Sequence, residues 1–135
     1  MFSVLRVRPR TSDLDSTKDL EARMNHIRPG VCSPMRGAGG GFSCEICHDL
    51  RWTHHQQALM RFLDELVSVT SRFSDPNVFV VLDVAVSARD WESGANWLSV
   101  TSEPEFLGVL SRLGIALEFT YYSRPGDRSA KNEVV

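Results

Sequence analysis

The apolar positions of this chain follow two rhythms, a period of two and a period near 3.6, and the switches between them lay out its elements. Residues 2–8 alternate, with Ser3, Leu5 and Val7 on one side and Phe2, Val4, Arg6 and Arg8 on the other, which predicts a strand that Pro9 ends. Leu20, Met24 and Ile27 then recur at helical spacing, between a Ser12/Asp15 start signal and an Arg28-Pro29-Gly30 stop. Residues 28–41 are rich in Gly and Pro and end Gly37-Ala38-Gly39-Gly40-Gly41, which predicts a flexible connection. Glycines that cradle phosphate lead from a strand into a helix, usually with a Lys just inside it. These lead into a strand and no Lys follows.

Phe42, Cys44 and Ile46 alternate with Ser43, Glu45 and Cys47, a second strand over 42–48. The longest helix is expected over about 53–72, opened by a Thr53/Gln56 capping box and carrying the stripe Leu59, Phe62, Leu63, Leu66, Val69. After a turn at Asp75-Pro76-Asn77, residues 78–86 are β-rich and at first apolar on both faces, as a central strand is. Residues 87–95 form a polar excursion and 96–100 a short strand. Ser102 and Glu105 have capping-box spacing, Pro104 suits a first helical turn, and Phe106, Leu107, Leu110 and Leu113 give a helix its apolar face before Gly114. The last strand, 115–122, should turn Ile115, Leu117, Phe119 and Tyr121 inward. Residues 124–135 lack periodicity and read as a disordered tail. The order β-α-β-α-β-β-α-β predicts one α+β domain over 2–123. Its sheet is a single, mostly antiparallel layer with helices packed on one face.

Composition narrows the classes of function. A chain of 135 residues fits one domain, and a net charge of −2 argues against a dedicated nucleic-acid binder. Residues 1–72 hold 10 basic against 8 acidic side chains and residues 73–135 hold 5 against 9, a mild acidic bias in the second half. No stretch approaches the ~18 apolar residues of a membrane span. The N-terminus reads as a strand rather than a leader, and three cysteines do not suggest a disulfide framework. A cytoplasmic protein with free thiols is expected, with no membrane and no nucleic acid as partner.

The N-terminal strand, the Leu/Phe-spaced long helix, the Val-rich central strand and the run Glu105-Phe106-Leu107…Leu113-Gly114-Ile115-Ala116-Leu117-Glu118-Phe119-Thr120-Tyr121-Tyr122 resemble the small bacterial proteins grouped as domain of unknown function 4279. The likeness covers roughly residues 2–122 and is strongest over 78–122. It implies a compact bacterial cytosolic domain of a kind suspected of neutralising toxins, and it carries over no catalytic residue.

Cys44-Glu45-Ile46-Cys47-His48 is the string that most looks like chemistry. On an alternating strand Cys44 and Cys47 point to opposite faces and cannot hold one metal ion. A zinc-binding module on Cys44, Cys47 and His48, with Cys32 as a further candidate, is the alternative if a turn breaks the strand. A redox CxxC places its first Cys at a helix N-terminus, which this one is not. His54 and His55 fall in the first turn of the long helix and read as surface residues, although a small hydrolase pairing either of them with Asp83 is a further alternative. Asp83 is the lone charge of its strand, on a face expected to open to solvent past residue 82. With Asp90, Trp91 and Glu92 it makes the candidate partner-binding surface. Arg6, Arg8 and Arg10 make at most a weak anion patch. The reading is therefore a non-catalytic binding protein that takes no cofactor and acts through protein–protein contact, with an immunity-type role as its concrete form.

Overall fold

The computed structural model describes residues 1–10, 15–36, 39–49, 51–68, 70, 73, 75–87 and 101–122. Among them the elements run β1 (Phe2–Pro9), α1 (Asp15–Ile27), β2 (Cys32–Pro34), β3 (Phe42–His48), α2 (Trp52–Val67), β4 (Val78–Ser87), α3 (Pro104–Leu113) and β5 (Ala116–Tyr122). The expected strand over 96–100, the 88–95 excursion, the Ser12 start signal, Val69 and the 124–135 tail lie outside the described residues.

The strands form one sheet in the order β2-β3-β1-β4-β5. Three neighbouring pairs are antiparallel, and β4 pairs with β5 in parallel. The α+β class is as expected, with a mixed sheet. The parallel pair follows from the return through α3, since a crossover brings the chain back in its original direction. β2 is a short strand within the stretch expected to be only a connection. It is held because Met35 N donates to Gly41 O at 3.0 Å and closes a hairpin onto β3.

One face of the sheet carries the helices. Leu5, Val7, Phe42, Cys44, Val80, Leu82 and Val84 meet Met24 of α1, the Leu59/Phe62/Leu63/Leu66 stripe of α2, and Phe106, Val109, Leu110 and Leu113 of α3. Each large side chain buried there contributes about 1.5–3 kcal/mol. β4 is buried on both faces from Val80 to Val86, whereas Phe79 at its start is exposed.

Two of the expected capping boxes do not form. α2 begins at Trp52, one residue early, so its N-cap is Arg51 and no side chain caps it. Gln56 instead accepts a hydrogen bond from Glu103 N at 3.1 Å, tying the start of α2 to the start of α3. α3 has Glu103 at its N-cap, again without a side-chain cap, and Pro104 in its first turn. Its other end is as predicted. Gly114 is left-handed at φ 73, and Ile115 N→Leu110 O with Gly114 N→Ser111 O make a Schellman motif.

Candidate functional site

The CxxCH string lies on β3, but the alternation expected of it is broken. Val4 pairs with Glu45 while Ser3 pairs with Cys47, so Ile46 is the extra residue of a β-bulge. The insertion advances the phase by one. Cys44 pairs with Leu5 and Cys47 with Ser3, so both cysteines belong to the helix-covered face, which corrects the expected opposition. Glu45 and His48, paired with Val4 and Phe2, belong to the reverse face. There His48 stacks on the Phe2 ring at 5.6 Å and pairs with the Glu45 carboxylate. Cys44, Cys47 and His48 therefore do not converge, and no three His, Cys, Asp or Glu side chains form a metal-binding group among the described residues.

Cys32 is the thiol that does meet Cys44. It faces Cys44 directly in the β2–β3 ladder, with the sulfurs 3.1 Å apart. Burial pushes both thiols up, Cys44 far above the ordinary range, and the neighbouring sulfur adds to the rise at Cys44. Cys47 is raised by partial burial and by the Asp49 carboxylate. No cysteine here has the lowered pKa of a nucleophile.

The paired histidines part company. His54 is exposed, with Nδ1 3.7 Å from the Asp49 carboxylate. His55 has no exposed surface, which corrects its reading as a surface residue, and neither ring nitrogen meets a protein partner. Its ring stacks on Trp52 at 6.0 Å, and burial lowers its pKa. Position 55 lies four residues before Leu59, on the buried stripe of α2. Ser3 Oγ is likewise buried without a partner.

Asp83 is fully buried, so the expected opening of its face past residue 82 does not occur. Its carboxylate accepts a hydrogen bond from Thr120 Oγ1 at 2.8 Å, while Oδ2 meets the Arg6 guanidinium as an ion pair. Asp83 pairs with Val4 and Glu118, on the face away from the helices, whereas His54 and His55 belong to α2. The sheet separates them, and the structure brings no hydrolytic pair together. Arg6 is occupied by Asp83 and Arg10 lies over the Phe79 ring at 5.1 Å, which breaks up the arginine row. Asp90, Trp91 and Glu92 lie outside the described residues.

The described surface that stands out is one the sequence placed inward. Phe119 and Tyr121 are 47% and 56% exposed, and Leu107 on α3 is 45% exposed. The reason is length. A ten-residue helix spans ~15 Å and a seven-residue strand ~23 Å, so α3 is too short to run the length of β5. Trp52 reaches across to Phe119 at 5.9 Å and to Phe106 at 6.2 Å, and its Nε1 donates to Thr101 O at 2.8 Å. β5 is also an edge strand among the described residues. Glu103 and Glu105 at the start of α3 are exposed, as are Arg112 in its last turn and Glu118 on the opposite face of β5.

No family model matches this chain, and neither the curated proteins nor the solved structures contain a match to it.

Proposed function

We propose that this chain is a non-catalytic binding module that engages a basic, partly apolar protein surface through β5 and α3. The observation that carries this reading is the exposure of Phe119 and Tyr121 on an edge strand. An uncovered edge is a hazard that proteins usually blunt with Pro, Lys or a bulge. Residues 116–122 contain none of the first two, and the ladder to β4 runs without a register shift. Among the described residues no strand pairs with the outer side of β5, and large aromatics at such an edge suit a partner that adds a strand and anchors on the rings. The exposed carboxylates Glu103 and Glu105 at the start of α3 favour a basic partner. An immunity-type role, neutralising a toxin with a basic active surface, is the concrete form of this reading.

The test is capture from a lysate of the native host on immobilised protein. The expected partner is basic, is retained by the wild type, and is lost with Phe119→Ser/Tyr121→Ser. It survives Arg51→Ser at the exposed start of α2. Anchoring aromatics carry about 2 kcal/mol or more each, so affinity should fall more than ten-fold. A retained protein indifferent to the aromatic pair would overturn the reading, as would a folded wild type that retains nothing the variant does not.

A further inference from the structure

Among the three cysteines of this chain, two are held in register on adjacent strands. Direct partners in an antiparallel ladder have Cα atoms ~4.5 or ~5.5 Å apart, depending on their place in the hydrogen-bond pattern. Both values fall inside the ~4.4–6.8 Å window of a disulfide. The Cys32 and Cys44 sulfurs already stand 3.1 Å apart, so closing a bond needs side-chain rotation and little backbone movement. The third thiol, Cys47, faces Ser3 across β1 and has no thiol opposite it.

We propose that Cys32 and Cys44 form a reversible, oxidant-responsive disulfide that fastens the edge strand β2 to the core strand β3. The oxidant class is a low-molecular-weight disulfide such as oxidised glutathione. Exposure fixes the order of events. Cys44 has no accessible surface, whereas Cys32 is half-exposed on the edge of the sheet. Cys32 therefore reacts first. Its thiolate, having released a proton to solvent, attacks one sulfur of the oxidant, forming a mixed disulfide and expelling a thiolate that takes up a proton. Cys44 then loses its proton and attacks Cys32 Sγ, expelling the second glutathione thiol. Two protein thiols are oxidised and one oxidant disulfide is reduced to two thiols. Burial keeps both protein thiols protonated near neutrality, so the exchange is slow there and quickens as pH rises.

The bond would close the loop 32–44 around the glycine-rich hairpin. It would also secure the link from β2 to α1, where Cys32 N donates to Asn25 Oδ1 at 3.4 Å. The oxidised form should melt at a higher temperature than the reduced form, because the cross-link restricts the unfolded chain.

Reduced full-length protein is incubated in buffers of increasing oxidised-to-reduced glutathione ratio, then alkylated, digested and mapped. The expected result is a Cys32–Cys44 linked peptide, a thiol count falling from three to one, or to none where Cys47 is also capped, and a raised melting temperature that dithiothreitol reverses. Cys44→Ala should stop at a Cys32–glutathione adduct, while Cys32→Ser, at a half-exposed site that keeps the core intact, should give neither linked peptide nor thermal shift. The proposal is overturned if Cys47 is the partner in the linked peptide, if only intermolecular disulfides form, or if folded wild type keeps Cys32 and Cys44 reduced at every ratio. It is also overturned if Cys44 is capped before Cys32.

Discussion

Arg6 reaches diagonally across the two central strands to pair with Asp83, whose carboxylate has no exposed surface. The register sets the geometry. Val4 is the direct partner of Asp83 and Arg6 lies two residues on, within reach of a long side chain on the same face. Thr120 of β5 supplies a hydrogen bond from the other side. The triad joins β1, β4 and β5 at the middle of the sheet, and it holds a structural charge where the sequence suggested an available one.

Breaking that triad on one side leaves its partners unpaired. Asp83→Ala should destabilise the fold by about 3 kcal/mol, somewhat less than a fully enclosed pair because Arg6 keeps a route to solvent. Replacing both partners, Arg6→Met with Asp83→Leu, should recover most of the loss. Urea unfolding of wild type, Asp83→Ala and the double variant is the measurement, and a near-silent Asp83→Ala would contradict the burial.

His55 makes stability depend on pH. Its folded pKa lies below the ordinary 6.5, so between the two values the unfolded chain binds more protons and stability rises with pH. The contribution is fully favourable above 6.5 and is lost as pH falls through the folded value. His55→Phe keeps a ring against Trp52 and removes the titration. It should flatten the slope of stability immediately below pH 6.5 and gain relative to wild type as pH falls. Glu65, lowered by its Arg28 partner, acts only below its ordinary 4.5 and leaves that window clear. Thermal melts at half-unit pH steps decide this, and an unchanged slope would mean another group sets it.

Gly41 and Gly39 should behave oppositely. A Cβ on Gly41 would lie 2.1 Å from Val7 O, and its φ is +89°, whereas a Cβ on Gly39 would meet nothing within 4 Å. Gly41→Ala should cost about 2 kcal/mol or more and disturb the start of β3, while Gly39→Ala should be nearly neutral. Chemical denaturation of the two variants side by side tests the hairpin.

Leu66 closes the apolar stripe of α2 and is fully enclosed. Leu66→Ala should lower stability by about 2–5 kcal/mol. Val67, the next residue, is exposed, and Val67→Ala should be nearly silent in the same melts.

What the sequence determined by itself was local and periodic. The alternation of residues 2–8, the 3.6 spacing from Leu59 to Leu66 and the doubly apolar run from Val78 are properties of neighbours in the chain, and they set β1, α2 and the central place of β4. Pro104 and Gly114 marked the ends of α3 because their φ preferences act within one turn. Tertiary structure decided the rest. The bulge at Ile46 exists only against β1, so the faces of Cys47 and His48 were not legible in a period-two pattern. The meeting of Cys32 with Cys44 depends on a hairpin whose strand is too short to show periodicity. Asp83 is buried because Arg6 and Thr120, 77 positions upstream and 37 downstream, neutralise it in the fold, whereas in isolation a lone carboxylate reads as exposed. Phe119 and Tyr121 alternate like core residues, yet they are exposed on a strand longer than α3. Periodicity records which side of an element a residue occupies. What covers that side is fixed only when the elements pack.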